Sequence, residues 1–263
     1  MMCKNIWKEE LIRCFWGWRF PCAVILTVIL YLCITMRYLA GNRVDILYCY
    51  RLVADNDLLL ISYAFCSWVY AGVYCDEKRN RYDRHCLLRV PAGKLVRIRM
   101  CVCIFSGMMV KSIGIWGYLI VMRWNYPLLD VNGSGIREFG NAGWGFSELI
   151  VQNKMLLYFF IEILMAGCLA GLLCGVAFCF SLFLQEKEAI LICPVFFSYF
   201  SLYYGNAYLK LPIWLQINRI LDISYNVLND SIYSLAYGVA CFIAGCFFLC
   251  ILAEARYKRL VYE

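Results

Sequence analysis

The chain has 263 residues, of which 63% are hydrophobic, 17% are aromatic and only 16% are charged, and its mean hydropathy is +0.67. This composition excludes a water-soluble enzyme, whose surface needs more charge, and it excludes intrinsic disorder, which requires low hydrophobicity. Apolar stretches continue for about 20 residues, twice the length of a barrel strand. The sequence therefore predicts an all-α membrane protein with a single transmembrane domain over 1–263.

Six stretches of mainly apolar residues predict six transmembrane helices. They cover 21–40, 58–75, 100–122, 155–184, 189–204 and 232–252. The fourth stretch is longer than a bilayer requires, so it must tilt or project. The fifth is short, and Pro194 lies near its start, where a missing backbone donor costs least.

The first 20 residues interleave apolar and charged side chains. The apolar members are Ile6, Trp7, Leu11, Phe15, Trp16 and Trp18, and the charged members are Lys4, Lys8, Glu9, Arg13 and Arg19. This pattern favours an amphipathic interfacial helix over 1–20, and Pro21 lies where a new helix begins. We do not expect a signal peptide, because the following apolar run is too long for one.

Lysine and arginine positions predict the orientation. With the N-terminus in the cytoplasm, the cytoplasmic segments carry roughly twice as many of these residues as the outer segments, as the positive-inside rule requires. We therefore expect a multi-pass plasma-membrane protein with both termini cytoplasmic. The net charge of +7 follows from this orientation, so we do not interpret it as a nucleic-acid-binding signal.

The 17 cysteines and the single histidine, His85, predict neither a metal site nor a catalytic site. Most cysteines fall in the predicted spans, where thiols act as small apolar groups, and Cys101 and Cys103 lack the spacing and partners of a zinc site. His85 lies in a cytoplasmic loop, and the sequence has no phosphate-binding loop. We therefore predict that the chain is not an enzyme and binds no cofactor itself.

The loop over 76–99 is the most basic part of the chain, with eight basic and three acidic residues. Apolar side chains recur in it at near-helical spacing until Pro91 and Gly93 interrupt the pattern. The loop could lie on anionic lipid as a topogenic signal, or it could form a short helix that docks on a cytoplasmic partner. The residues alone leave both alternatives open.

Three features of this loop resemble a known family. Asp76 and Glu77 end the second predicted span, a basic segment follows over 80–90, and the sequence RVPAGK over 89–94 precedes the third span. Together with an entry helix, six spans and a long outer segment, this arrangement resembles the membrane permease subunits of type-2 ABC transporters, a family of six-helix bacterial exporters.

The resemblance implies that the loop is a coupling helix seated on a separate ATPase dimer, which would bind ATP and Mg²⁺. The residues that it assigns to ATPase contact are Glu77, Arg81, Arg84 and Leu88. It also implies a second permease chain, identical or a sister, around one export pathway. The outer segment over 205–230 would then form a pair of re-entrant helices, although one amphipathic helix on the outer surface is an equal alternative.

Small residues recur every four positions in two predicted spans. They are Gly167, Gly171 and Gly175 in the fourth span and Ala236, Ala240 and Ala244 in the sixth. This spacing lets helix backbones approach closely. We interpret both stripes as packing seams, within the bundle or between subunits, in preference to a ligand site.

Two charges, Lys111 and Glu162, fall at comparable depth inside predicted spans, where isolated charges are costly. Either they form a structural ion pair, which we favour, or they mark a polar patch on a transport or proton pathway. The leading prediction for function is an ABC exporter permease. The alternatives are a non-transporting membrane scaffold or immunity protein and, less favoured, an ion-coupled secondary transporter.

Overall fold

The computed structural model describes residues 3–37, 45–79, 90–130, 134–140, 144–184, 186–207 and 210–262. Within them the backbone forms helices and turns, with one isolated antiparallel bridge between Trp144 and Tyr225. The α-helices are α1 Cys3–Phe15, α2 Arg19–Thr35, α3 Ile46–Ala54, α4 Ile61–Trp68, α5 Val73–Arg79, α6 Ala92–Arg123, α7 Ser134–Phe139, α8 Ser147–Val151, α9 Met155–Ser181, α10 Lys187–Ala207, α11 Ile217–Ile220 and α12 Ser231–Tyr262. Short 3-10 helices lie at Asp57–Leu60 and Ile213–Leu215.

Four helical segments of the described residues are long and apolar enough to cross a membrane. They are Asp57–Lys78, Ala92–Arg123, Met155–Ser181 and Ser231–Leu260. A fifth results if Ile6–Phe15 and Arg19–Thr35, which meet at an angle of 45°, count as one broken span. The prediction of an α-helical membrane protein is confirmed at this level, while the number of six spans stays a prediction.

The fifth predicted span, 189–204, corresponds to α10, which is not among these segments. Its 21 residues would extend about 30 Å, which is the thickness of the hydrocarbon core. However, it includes Ser198, Tyr199, Tyr203 and Tyr204, whose hydroxyl groups reduce its apolar character. Its length therefore permits a crossing, but its composition does not require one.

The second predicted span is interrupted, because α4 ends at Trp68 and α5 begins at Val73. In the last turn of α4, the hydroxyl of Ser67 donates to the carbonyl oxygen of Ala64 at 2.9 Å. Such local bonds compete with the helical pattern and bend helices. The interruption leaves a turn over 69–72 in the middle of the segment.

The packing between α6 and α9 is the most extensive in the bundle, and the glycine stripe of α9 lies in it. A Cβ atom on Gly167 would lie 2.6 Å from the hydroxyl of Ser112, and one on Gly171 would lie 2.9 Å from the carbonyl oxygen of Ile104. At Gly175 the nearest atoms belong to α12 and α6. The glycines therefore allow α9 to approach its neighbours more closely than any side chain would permit.

The alanine stripe of α12 is placed differently, because Ala236, Ala240 and Ala244 are all exposed. The side of α12 that faces the bundle contains Gly238 and Gly245 instead, which lie against α9 side chains. Only 11% of the most apolar stretch of α12 is buried, compared with 67 to 78% for the corresponding stretches of the other three segments. The alanine stripe thus packs on nothing within the described part of this chain.

The two ends of α6 define the two ends of the bundle. The Glu77 end holds α1, α5, the start of α6 and the last turns of α12, where Arg97 pairs with Glu254 at 2.7 Å. The Arg51 end holds α3, α7, α8 and α11, and there the backbone N–H of Ile46 donates to the carbonyl oxygen of Pro127 at 3.1 Å. The first and last helices of the described chain therefore both reach the same end.

The described part of the predicted outer segment lies at the Arg51 end. Over 210–230 it forms two short helices, the 3-10 helix Ile213–Leu215 and α11, which meet at Gln216. Trp214 is exposed, whereas Ile220 is buried against the bundle. This part of the segment is therefore not one continuous surface helix.

Candidate functional site

Asp45 stabilises the start of α3, the helix that carries Arg51. Its carboxylate caps α3 by accepting from the backbone N–H of Tyr48 at 2.9 Å, and it also accepts from Gly135 at 3.2 Å and Asp130 at 3.4 Å. One buried side chain thus satisfies the start of α3 and holds Asp130 and the start of α7 against it. Burial raises the pKa of Asp45 above its ordinary value, although these N–H donors oppose the shift.

The guanidinium of Arg51 is 2% exposed and is surrounded by acceptors. It pairs with Glu162 of α9 at 3.0 Å and with Asp222 at 3.2 Å. It also donates from Nε to the hydroxyl of Tyr158 at 3.0 Å and from Nη1 to the hydroxyl of Ser224. Arg51 and these four partners, which we name the Arg51 cluster, join α3, α9 and the segment after α11.

The charged groups of the Arg51 cluster stabilise one another in their ionised forms. Burial acts to lower the pKa of Arg51, but the carboxylates of Glu162 and Asp222 outweigh it, so the pKa is raised and the guanidinium stays cationic. Tyr50 adds a neutral donor, since its hydroxyl bonds to Glu162 at 3.0 Å. Every charge in the cluster therefore has an opposite partner.

Lys111 lies in the middle of α6 and is 1% exposed. Its ammonium group donates to the hydroxyl of Ser62 at 2.6 Å and lies 5.0 and 4.8 Å from the ring centroids of Tyr31 and Tyr63. Among the described residues, no carboxylate lies within 4.0 Å of it. The predicted ion pair is therefore not formed, because Glu162 pairs with Arg51 instead.

Lys111 and Glu162 nevertheless line the same cavity, which has a volume of about 550 Å³. We name it the Lys111 cavity. Its wall is formed by parts of α2, α3, α4, α6, α9, α10 and α11, and Asp55 and Asp57 lie at its exposed edge. A cavity of this size, with apolar walls and a few polar groups, matches the usual form of a small-molecule site.

A second ionic group lies at the Glu77 end. Arg99 of α6 is 1% exposed and pairs with Glu77 at 2.5 Å and with Glu10 at 3.1 Å. Arg13 of α1 also pairs with Glu77, and the hydroxyl of Tyr70 donates to Glu10 at 2.7 Å. These five residues, which we name the Glu77 cluster, fasten α1, α5 and α6 together at the two ends of the basic loop.

The predicted ATPase contacts are thus divided. Glu77 is 2% exposed and is engaged by two arginines, so its carboxylate does not face outward in this structure. Arg81, Arg84 and Leu88 lie outside the described residues. The structure therefore gives Glu77 a position at the base of the loop and leaves the other three as predictions.

The sequence pattern did not identify Arg51 or Arg99 as site residues. In the sequence both contribute only to the charge distribution that predicts the orientation, because hydropathy does not indicate which distant side chain a charge will meet. One signal was present for Arg51, which is flanked by the apolar stretch Ile46–Ala54. A lone charge within a buried apolar helix requires a partner.

No group of three or more potential metal ligands occurs among the described residues. The cysteines that the structure describes are all free thiols, and most are buried or partly buried in helices. Comparison of the chain with protein-family models, with curated proteins and with solved structures finds no match. The class of protein that these findings support is an α-helical protein embedded in a membrane.

Proposed function

We propose that the chain is the membrane permease subunit of an ATP-driven exporter of the type-2 ABC class, with a separate ATPase at the Glu77 end. The observation that supports this most is the Glu77 cluster. It fixes the base of the basic loop to α1 and α6 through buried charge pairs. A loop that only touched lipid would not need such a rigid attachment, whereas a loop that transmits force to the helices would.

The same proposal places both termini in the cytoplasm of a plasma-membrane protein. The first and last described helices both reach the Glu77 end, next to the basic loop, and this agrees with the positive-inside rule. In this orientation α2, the α4 to α5 segment, α6, α9, α10 and α12 are the six spans. Reporter fusions at each terminus that were active only on the outer side would contradict this orientation.

A partner chain is part of the proposal. The exposed face of α12, with Ala236, Ala240 and Ala244, offers a surface for lipid or for a second permease chain, identical or a sister. ATP and Mg²⁺ would bind to the ATPase. This chain would contribute half of the substrate pathway.

The test is purification of the tagged chain from its native membranes in a mild detergent. We expect a co-purifying subunit with a phosphate-binding loop, and ATP hydrolysis by the purified complex. The double substitution Arg81→Glu and Arg84→Glu should weaken the association by about 30-fold, if each rim charge is worth about 1 kcal/mol. The matched control, Arg123→Glu with Arg137→Glu at the Arg51 end, should leave it unchanged.

A chain that was active without any ATPase would refute the proposal. In that case the shared cavity of Lys111 and Glu162 would favour an ion-coupled transporter, whose activity would follow an ion gradient. A scaffold or immunity protein is distinguished by a different result. Vesicles that contain the chain and its ATPase would then consume no ATP in response to any substrate.

A further inference from the structure

The Lys111 cavity has an unbalanced charge at each of its two ends. The inner end contains the ammonium group of Lys111, which is almost completely buried. It has two aromatic faces and one hydroxyl as neighbours, and no carboxylate within 4.0 Å among the described residues. Aromatic faces stabilise a cation, but they leave its charge uncompensated.

The outer end carries the opposite charge. Asp55 and Asp57 are both exposed, and neither has a lysine or arginine within 4.0 Å in the described structure. The carboxylate of Asp57 accepts one hydrogen bond, from the hydroxyl of Tyr203 at 2.7 Å. Partial desolvation of its carboxylate, and then the nearby Asp222, raise the pKa of Asp55, although Arg51 opposes this. The negative potential at this end would be relieved by a bound cation.

Between the two ends the wall is mainly apolar. The other charged groups that line it are Glu162 and Asp222, which pair with Arg51, and Arg219, which lies over the ring of Tyr225. Leu59, Leu60, Leu169 and Leu202 contribute to it together with Ala166. A ligand that meets both of these ends would combine an apolar body with one charge at each end. In a zwitterionic lipid head group the two charges are adjacent, and the apolar chains extend to one side only. A short linear peptide instead carries its carboxylate and its ammonium group at opposite ends.

We propose that the Lys111 cavity binds a short apolar peptide with free termini, with its carboxylate on Lys111 and its ammonium group between Asp55 and Asp57. Binding needs this chain alone, so the inference does not depend on the proposed ATPase and can fail or succeed separately from it.

The test is equilibrium dialysis of labelled trileucine against the full chain in lipid nanodiscs. On the unchanged protein, trileucine should bind about tenfold or more tightly than either trileucine amide, which lacks the carboxylate, or N-acetyl-trileucine, which lacks the ammonium group. This comparison needs no variant, so it cannot be confused with a folding defect. Equal binding of the three peptides, or no binding of any, would overturn the proposal.

Two variants then test which end of the cavity binds which charged group of the peptide. Lys111→Met should abolish the preference for the acid over the amide, while the preference for the free ammonium group remains. Asp55→Asn with Asp57→Asn should abolish the preference for the free ammonium group, while the preference for the acid over the amide remains. Lys154→Met, on an exposed lysine outside the cavity, should leave both preferences unchanged.

Two further results would contradict the site. One is a Lys111→Met variant that still distinguishes the acid from the amide. The other is a competition experiment in which dodecylphosphocholine displaces labelled trileucine at a lower concentration than unlabelled trileucine does. The second result would identify the cavity as a lipid site.

Discussion

Replacing Arg51 with methionine would remove the cation from the Arg51 cluster while keeping most of the side-chain volume. Glu162, whose side chain is only 6% exposed, would lose its bond of 3.0 Å and remain charged in an apolar surrounding. Asp222 would lose its partner too, but it is 26% exposed and can be rehydrated. The cost therefore arises mainly from Glu162, and it should be about 3 to 5 kcal/mol.

The reverse change should be milder. Glu162→Gln leaves Arg51 with Asp222, Tyr158 and Ser224 as acceptors, so we expect a loss of about 1 to 3 kcal/mol. The double variant removes both buried charges. It should therefore be more stable than Arg51→Met alone, because no uncompensated carboxylate is left.

The measurement is the free energy of unfolding in mixed micelles of mild detergent and sodium dodecyl sulfate, followed by the loss of tertiary fluorescence. Arg219→Met is the control, because Arg219 lies 5.1 Å from the ring centroid of Tyr225 and lines the same cavity without an ion pair in the described structure. It should cost about 0.5 to 1 kcal/mol. If the double variant were as unstable as the sum of the two single variants, the cluster would not be a coupled ionic unit.

The same assay tests three other features. Gly171→Leu should destabilise by about 1 to 3 kcal/mol or more, because the added side chain meets a backbone carbonyl of α6, whereas Ala240→Leu on the exposed face should change stability by less than about 0.5 kcal/mol. The raised pKa of Asp45 means that the folded state retains its proton more strongly, so stability should fall as the pH rises from about 4 through the folded pKa. In Asp45→Asn this part of the pH dependence should be absent. A stability profile identical to that of the unchanged protein would contradict this prediction. Lys111→Met should match or exceed the native stability, and a loss above about 2 kcal/mol would show that Lys111 is structural.

The helical class and the approximate positions of most helices could be predicted from the sequence, because a bilayer requires about 20 apolar residues for each span. The stretches 100–122 and 232–252 lie within α6 and α12, and 155–184 covers α9 and three residues after it. The ends could not be predicted from hydropathy, which detects only the apolar portion of a helix. The helices α6 and α12 continue into charged turns, where Arg97 and Glu254 pair at 2.7 Å.

The ionic clusters could not be predicted, because their members are far apart in the chain. Arg51 and Glu162 are separated by 111 positions, and Arg51 and Asp222 by 171. A charge pattern along the sequence carries no information about such pairs until the helix packing is known. The prediction that Glu162 requires a partner rested on the cost of burial and pointed to Lys111, whereas the packing supplies Arg51.

The positions of the charges separate structural from functional residues in this bundle. Arg51 and Arg99 each meet two carboxylates, and both lie near the ends of the bundle, where such pairs fasten helices and loops. Lys111 lies between these clusters, faces a cavity and has no carboxylate partner among the described residues. An uncompensated cation at this depth costs stability, so packing alone does not explain it. Residues that lower stability without forming a compensating contact are typical of binding sites. A ligand of Lys111 should therefore be sought before either cluster is given a role in transport.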